Sequence, residues 1–168
     1  MKKTLLTLLA VAMLSTNVFA VDDGDDTQWF DMMSCGICQH MQPILPHMQK
    51  FKWDSKATKH GLITITIVPD DLKEQWGKCK TSMDATIKEL ESGKEVKCCG
   101  FCQSFGSLIE AGAEKEEIKT AAGEIMLLTS NDPKVVKKIH AHVKKTEAEK
   151  AKMEKMMEKM QAGQTKDQ

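Results

Sequence analysis

The same cysteine motif occurs twice in this chain, 64 positions apart. The first copy is Cys35-Gly36-Ile37-Cys38, the second is Cys99-Gly100-Phe101-Cys102, and a glutamine follows each. A duplicated C-G-x-C in a chain of 168 residues indicates that paired thiols organise the fold and that two related halves are present. The motif by itself leaves three uses of the thiols open: metal binding, electron exchange and structural disulfides.

The first 20 residues have the composition of a secretory signal peptide. Lys2 and Lys3 precede an apolar run from Leu5 to Leu14, and Val18-Phe19-Ala20 resembles a small-x-small cleavage site. The run is shorter than the ~20 apolar residues that cross a bilayer. The sequence therefore predicts a periplasmic or secreted protein that starts near Val21 and has no membrane span.

The predicted mature chain has 148 residues, enough for one domain with a hydrophobic core. Without Lys2 and Lys3 it has 22 basic and 24 acidic residues, a net charge of −2. This balance argues against a nucleic-acid partner, which favours a basic surface, and the sequence identifies no protein partner. All six cysteines remain, and an oxidising compartment favours disulfides between unprotected thiols.

A β-hairpin is predicted after the first motif. Alternating isoleucine and threonine in residues 62–68 are typical of a half-buried strand. Gly61 marks the turn from a first arm at residues 52–58. The residues predicted on the core face are Ile63, Ile65 and Ile67.

The second half repeats this pattern. Gly123 precedes a predicted strand in which Ile125 and Leu127 correspond to Ile63 and Ile65 at an offset of 62. A helix is predicted after each such strand. The first helix would begin with a capping box formed by Asp71 and Glu74, and the second with the pair Asp132-Pro133.

These elements predict an α+β fold of two αββα repeats, residues 29–92 and 93–146. Their strands form a four-stranded antiparallel sheet with the helices on one face and a pseudo-twofold relation between the halves. An acidic leader at 21–28 is expected to be disordered, and a charged tail at 147–168 is expected to be helical. The tail has a methionine stripe that would pack on the body or on a partner: Met153, Met156, Met157 and Met160.

The metal-binding interpretation adds one ligand to each motif from the following long helix. Cys79 and His142 lie at matching helical positions, with His140 as the alternative to His142. The predicted half-sites are Cys35, Cys38 and Cys79, and Cys99, Cys102 and His142. Thiolate and imidazole ligands suit copper and zinc, and the nearby methionines favour Cu(I) ahead of Zn(II). His40 or Cys98 is a candidate fourth ligand.

A position at the start of a helix favours reactive thiols in these motifs. Free N–H groups at a helix start stabilise a thiolate, and Ser34 is a candidate N-cap for the first motif. A thiol–disulfide enzyme is therefore a second hypothesis, although the predicted hairpins differ from the parallel strands of thioredoxin-like proteins. The third is an interaction protein with disulfides Cys35–Cys38, Cys99–Cys102 and Cys79–Cys98, but a C-x-x-C disulfide closes a small loop and stabilises little. The sequence favours a metal-binding protein over an enzyme.

Three segments of the second half resemble a group of uncharacterised exported bacterial proteins. The segments are Cys99-Gly100-Phe101-Cys102-Gln103-Ser104-Phe105-Gly106, Thr129-Ser130-Asn131-Asp132-Pro133 and Ile139-His140-Ala141-His142. The resemblance covers most of the predicted mature chain. It implies an exported protein with a duplicated C-G-x-C module and supplies no activity.

Overall fold

Two β-hairpins pair through their second strands to form one four-stranded antiparallel sheet in the computed structural model, which describes residues 28–164. The sheet has the order β1-β2-β4-β3. Its strands are β1 (Lys52–Thr58), β2 (Gly61–Ile67), β3 (Glu114–Thr120) and β4 (Gly123–Thr129). The predicted signal peptide, most of the predicted leader and the side chains of Met156, Met157 and Met160 lie outside the described residues.

Within residues 28–164, three α-helices, a long 3₁₀ segment and a short 3₁₀ turn complete the α+β fold that the sequence predicts. The helices are α1 (Lys73–Glu91), α2 (Gly100–Glu110) and α3 (Pro133–Gln164), and the 3₁₀ segment is Cys38–Lys50. Pro43 and Pro46 lie inside the 3₁₀ segment, where their missing N–H groups prevent a regular α-helix. Among the described residues, no helix is both long and apolar enough to cross a bilayer.

The two predicted helix starts have different outcomes. The Lys134 N–H donates to the Asp132 carboxylate at 2.8 Å, which confirms the cap of α3. The capping box at α1 is wrong, because a short 3₁₀ turn at Asp70–Leu72 precedes the helix. Asp71 forms an ion pair with Lys50, and Glu74 pairs with a lysine in its own helix.

The strand register relates the two hairpins by a pseudo-twofold axis. Ile65 lies opposite Ile125, and Ile63 lies opposite Leu127. A shift of 62 positions converts each of these pairs into the other. Thr64 lies opposite Met126, its own equivalent at that shift, so the axis passes through this pair. The β1–β2 and β3–β4 registers also superpose at a shift of 62.

Each long helix contacts the hairpin of the other half. In α1, Lys73 donates to the Ala121 carbonyl at 2.6 Å. In α3, Lys150 donates to the Trp53 carbonyl at 3.1 Å. These two contacts connect the halves. Both helices pack on the sheet face that includes Trp53, Leu62 and Leu128, so the helices cover one face, as predicted.

The buried face of the sheet is the opposite of the predicted one. Leu62 and Leu128 are 3% and 0% exposed and pack against α2 and α3, whereas Ile65 and Ile67 are 40% and 41% exposed. The predicted alternation is confirmed, but both faces of β2 have β-branched residues. The helices contribute large aliphatic side chains that contact the leucine side, so the isoleucines lie on the other face. The main helix-side residues are Leu108, Val135, Ile139 and Val143.

Candidate metal centre

The two C-G-x-C motifs converge on one cluster of four thiols. The Cys38 sulfur lies 3.4 Å from that of Cys102 and 3.7 Å from that of Cys99. The Cys35 sulfur is also 3.7 Å from that of Cys102. All four sulfur atoms lie within 4.8 Å of one another, and all six cysteines of the chain are free thiols.

The first motif lies on a series of turns. The Asp31 carboxylate accepts the N–H groups of Met33 at 3.0 Å and Ser34 at 2.7 Å. The Cys38 N–H then approaches the Cys35 sulfur at 3.4 Å. The predicted N-cap role of Ser34 is wrong, because Asp31 accepts these N–H groups and the 3₁₀ segment begins only at Cys38.

The second motif lies at the start of α2. Cys99 is the N-cap with an extended backbone, and Cys102 lies in the first turn. Hydrogen bonds with the Cys102 and Cys38 thiols, together with the Cys102 backbone N–H, lower the pKa of Cys99 far below its ordinary value. Cys99 therefore ionises more readily than Cys38 and Cys102 in the metal-free cluster.

Cys102 and Cys38 hold their protons more strongly. Hydrogen bonds with Cys38 and Cys99, together with burial, raise the pKa of Cys102. The bond with Cys102 lowers the pKa of Cys38, but the bond with Cys99 and burial outweigh it and the net shift is upward. Crowded thiols resist further ionisation because adjacent negative charges repel, whereas a bound cation would neutralise several thiolates at once.

A backbone hydrogen bond joins each motif to the segment that precedes the other motif. The Gly36 N–H donates to the Lys97 carbonyl at 2.8 Å, and the Gly100 N–H donates to the Gln28 carbonyl at 3.1 Å. A Cβ atom on Gly36 would lie 2.5 Å from the Val96 Cγ1 atom, a distance at which a neighbour must move. The glycine of the first motif thus permits the close approach that joins the two motifs.

The cluster is shielded from solvent. Cys35, Cys99 and Cys38 are 0%, 2% and 6% exposed, and Cys102 is half-buried. The apolar side chains around the thiols are Met32, Ile37 and Phe101. Four sulfur atoms around one ion at the Zn–S distance of about 2.3 Å would lie about 3.8 Å apart. The observed spacing therefore suits one metal ion with four thiolate ligands.

Cys79 lies elsewhere in the core. It is 4% exposed on the buried face of α1, beside Met41, Ile44 and Leu72. Burial raises the pKa of its thiol. Cys79 is not among the four clustered thiols, so its ligand role stays a prediction.

The predicted histidine ligands also have other contacts. His142 Nδ1 lies 2.8 Å from the Ser104 hydroxyl, and burial lowers the pKa of the imidazole to about 4. The ring centres of His142 and Phe101 are 5.0 Å apart, so the histidine supports the second motif through packing. His140 Nε2 lies 2.9 Å from the Thr58 carbonyl oxygen. A metal-binding role for either histidine stays a prediction.

The two candidate fourth ligands lie in different surroundings. Cys98 is half-buried, and burial together with the neighbouring Cys35 and Cys99 sulfur atoms raises its pKa, which places it beside the cluster. His40 Nε2 lies 2.8 Å from the Thr86 hydroxyl.

Sequence reasoning identified the four clustered cysteines but assigned them to two sites. The pseudo-twofold relation was the signal that equivalent motifs can meet near a shared axis.

Comparison with known proteins found no match among protein-family models, curated proteins or solved structures.

Proposed function

We propose that this chain is an exported metal-binding protein whose four clustered thiols hold one Zn(II) or Cu(I) ion. The convergence of both motifs within 4.8 Å supports the proposal. The four-sulfur set favours Zn(II) ahead of Cu(I), because tetrahedral coordination by four thiolates is typical of zinc. The methionine content of the sequence favoured the opposite order, Cu(I) ahead of Zn(II).

The proposed role is to hold the metal, without catalysis. A site with four protein ligands leaves no position for a substrate or an activating water molecule. Cys102 is the one half-buried ligand, so metal would enter or leave on its side. Storage, delivery or sensing of a metal in the periplasm would each use such a site. The signal-peptide composition of residues 1–20 supports that location.

Thiol exchange is disfavoured by burial. An exchange reaction needs a thiolate that a second disulfide can reach. Cys99 has the lowered pKa but is 2% exposed, and Cys35 is fully buried. The thiol with the lowered pKa is thus hidden, which suits a metal ligand better than a nucleophile.

The test is metal stoichiometry in the reduced protein. We expect native mass spectrometry to detect one Zn(II) ion per chain and Co(II) substitution to give the absorption of a tetrahedral sulfur site. Cys35→Ser and Cys99→Ser should each lose the ion, and the matched variant Cys79→Ser should keep it. Two ions per chain, no bound ion, or loss of the ion in Cys79→Ser would overturn the single four-thiol site.

A further inference from the structure

The sheet has an aliphatic face on the side away from the helices. Strand alternation and register place six aliphatic side chains there, from three adjacent strands. Ile65, Ile67 and Ile118 are 40%, 41% and 41% exposed. The six residues of the aliphatic face are Ile63, Ile65, Ile67, Ile118, Ile125 and Leu127. Contiguous apolar surface of this kind marks an interaction site more often than scattered hydrophobic residues do.

The described residues leave this face uncovered. Both long helices pack on the opposite face, where Leu62 and Leu128 are buried. The segment Val21–Thr27, which would remain after signal-peptide cleavage, has four aspartates among its seven residues. A short acidic segment cannot supply the apolar surface needed to bury six aliphatic side chains. Residues 165–168 are polar as well, so another molecule is the occupant that fits this face.

The charges beside the aliphatic face have opposite signs on its two edges. On the β1 side, Lys52 and Lys56 flank Asp54, giving a net charge of +1. On the β3 side, Glu114 and Glu116 lie on the same face, giving a net charge of −2. A surface with a basic edge, an apolar centre and an acidic edge complements a reversed copy of itself.

We propose that the aliphatic face is the interface of a homodimer, in which the sheets of two copies stack face to face. Stacked sheets keep their strand directions within about 30° of each other and bury the facing side chains in a shared layer. A twofold axis parallel to the strands would place β1 of one copy over β3 of the other. This self-complementary arrangement is the usual one for a two-subunit protein.

The observed register gives this dimer specific opposed residues. One row across the sheet contains Lys56, Ile63, Leu127 and Glu116, and the next contains Asp54, Ile65, Ile125 and Ile118. Rotation about the proposed axis reverses the strand order but keeps each row over itself. The opposed pairs between copies are Ile65 with Ile125, Ile63 with Leu127, Lys56 with Glu116 and Asp54 with Ile118. The four apolar residues of β2 and β4 in these rows thus meet at the centre, and two Lys56–Glu116 ion pairs form at the edges. Asp54 lies over Ile118 at the rim, where Lys56 of its own chain pairs with the carboxylate.

The first test measures the oligomeric state of the reduced, mature protein by sedimentation velocity, with and without Zn(II). We expect a dimer that Ile65→Lys converts to a monomer, with the dissociation constant raised by at least ~100-fold. Ile109→Lys is the matched control, because Ile109 on α2 is 42% exposed and lies off the sheet; it should stay dimeric. Circular dichroism checks that both variants are folded. A monomeric wild type, or a dimer dissociated by Ile109→Lys and not by Ile65→Lys, would overturn the proposal.

The second test identifies the orientation of the copies. Lys56→Glu should weaken the dimer about tenfold or more, because it places a glutamate opposite Glu116 twice in each dimer. Adding Glu116→Lys should restore the affinity by reversing both partners. Lys56→Glu also breaks the ion pair between Lys56 and Asp54 in the same chain, which are 3.0 Å apart. Glu116→Lys cannot restore that pair, so any recovery of affinity comes from the contact between copies. Failure of the double variant to restore the dimer would overturn the proposed orientation, and neither test depends on whether the thiols bind metal.

Discussion

The Cys38 and Cys102 sulfur atoms lie 3.4 Å apart although 64 positions separate the two residues in the chain. Each belongs to a different C-G-x-C motif, so an ion bound by both would cross-link the two halves of the fold. Such a cross-link stabilises the native state by the free energy of metal binding, provided that the unfolded chain binds the ion more weakly. The predictions below follow from this connection and from the contacts around it.

The four thiols should respond to substitution as one unit. We expect excess Zn(II) to raise the Tm of the reduced protein. Cys35→Ser and Cys99→Ser should each remove most of that rise, and the double variant should lose little more, because all four thiols bind the same ion. Differential scanning fluorimetry with and without Zn(II) measures the effect, with Cys79→Ser as the control that keeps the rise. Additive losses would instead indicate two independent sites.

Gly36 of the first motif and Gly106 within α2 should respond oppositely to alanine. Gly36→Ala should lower the free energy of unfolding by about 1–3 kcal/mol, because the new methyl group would overlap the Val96 side chain. Gly106→Ala is the control: its Cβ would have no neighbour within 4 Å, and α2 should gain about 0.5–1 kcal/mol. Urea denaturation of the metal-free, reduced protein compares the two. Val96→Ala should relieve the Gly36→Ala defect, and no relief would contradict the steric explanation.

His142 should make the protein less stable in mild acid. Burial lowers the pKa of its imidazole from 6.5 to about 4, so the unfolded chain binds a proton that the native chain does not. The stabilising effect of the neutral, buried ring is complete above pH 6.5 and is lost as the pH falls toward 4. The variant His142→Asn should flatten this part of the stability profile, measured by urea denaturation of metal-free protein. An equal slope in wild type and His142→Asn would refute the assignment.

Lys80 should be the most important lysine for the connection between the halves. It donates to Glu117 at 2.8 Å and to Glu124 at 2.7 Å, and its side chain is only 19% exposed. Lys80→Met should destabilise the protein by about 1–3 kcal/mol, because it leaves two partly buried carboxylates without their shared partner. Lys78→Met removes the ion pair between Lys78 and Glu74 in the same helix, where the lysine side chain is 75% exposed. This variant should change the free energy of unfolding by less than about 0.5 kcal/mol. Thermal unfolding compares the two, and equal effects would contradict a special role for Lys80.

Local patterns in the sequence predicted the elements of the fold. The isoleucine–threonine alternation and the glycine at position 61 predicted a first hairpin with arms at residues 52–58 and 62–68, and the observed strands are Lys52–Thr58 and Gly61–Ile67. Asp132 was identified as a helix cap from residue type alone, and its carboxylate accepts the expected N–H. Capping and turn chemistry involve only a few neighbouring residues, so such features can be read from short stretches. The failure of the capping box at Asp71 shows the limit, because a distant partner, Lys50, bonds that carboxylate instead.

The amino-acid sequence by itself determined the duplicated thiol motifs, the two hairpins and the α+β class, since each depends on periodicity or spacing along the chain. Tertiary structure alone decided which face of β2 is buried and which thiols share a site. Both faces of that strand have β-branched residues, so the choice rests on where the helices supply large side chains. The halves are connected by the central pairing of β2 with β4 and by the contact of each long helix with the hairpin of the other half. The backbone hydrogen bonds of Gly36 and Gly100 join the two motifs. Four thiols meet there because of contacts between residues far apart in the sequence, which no local pattern records.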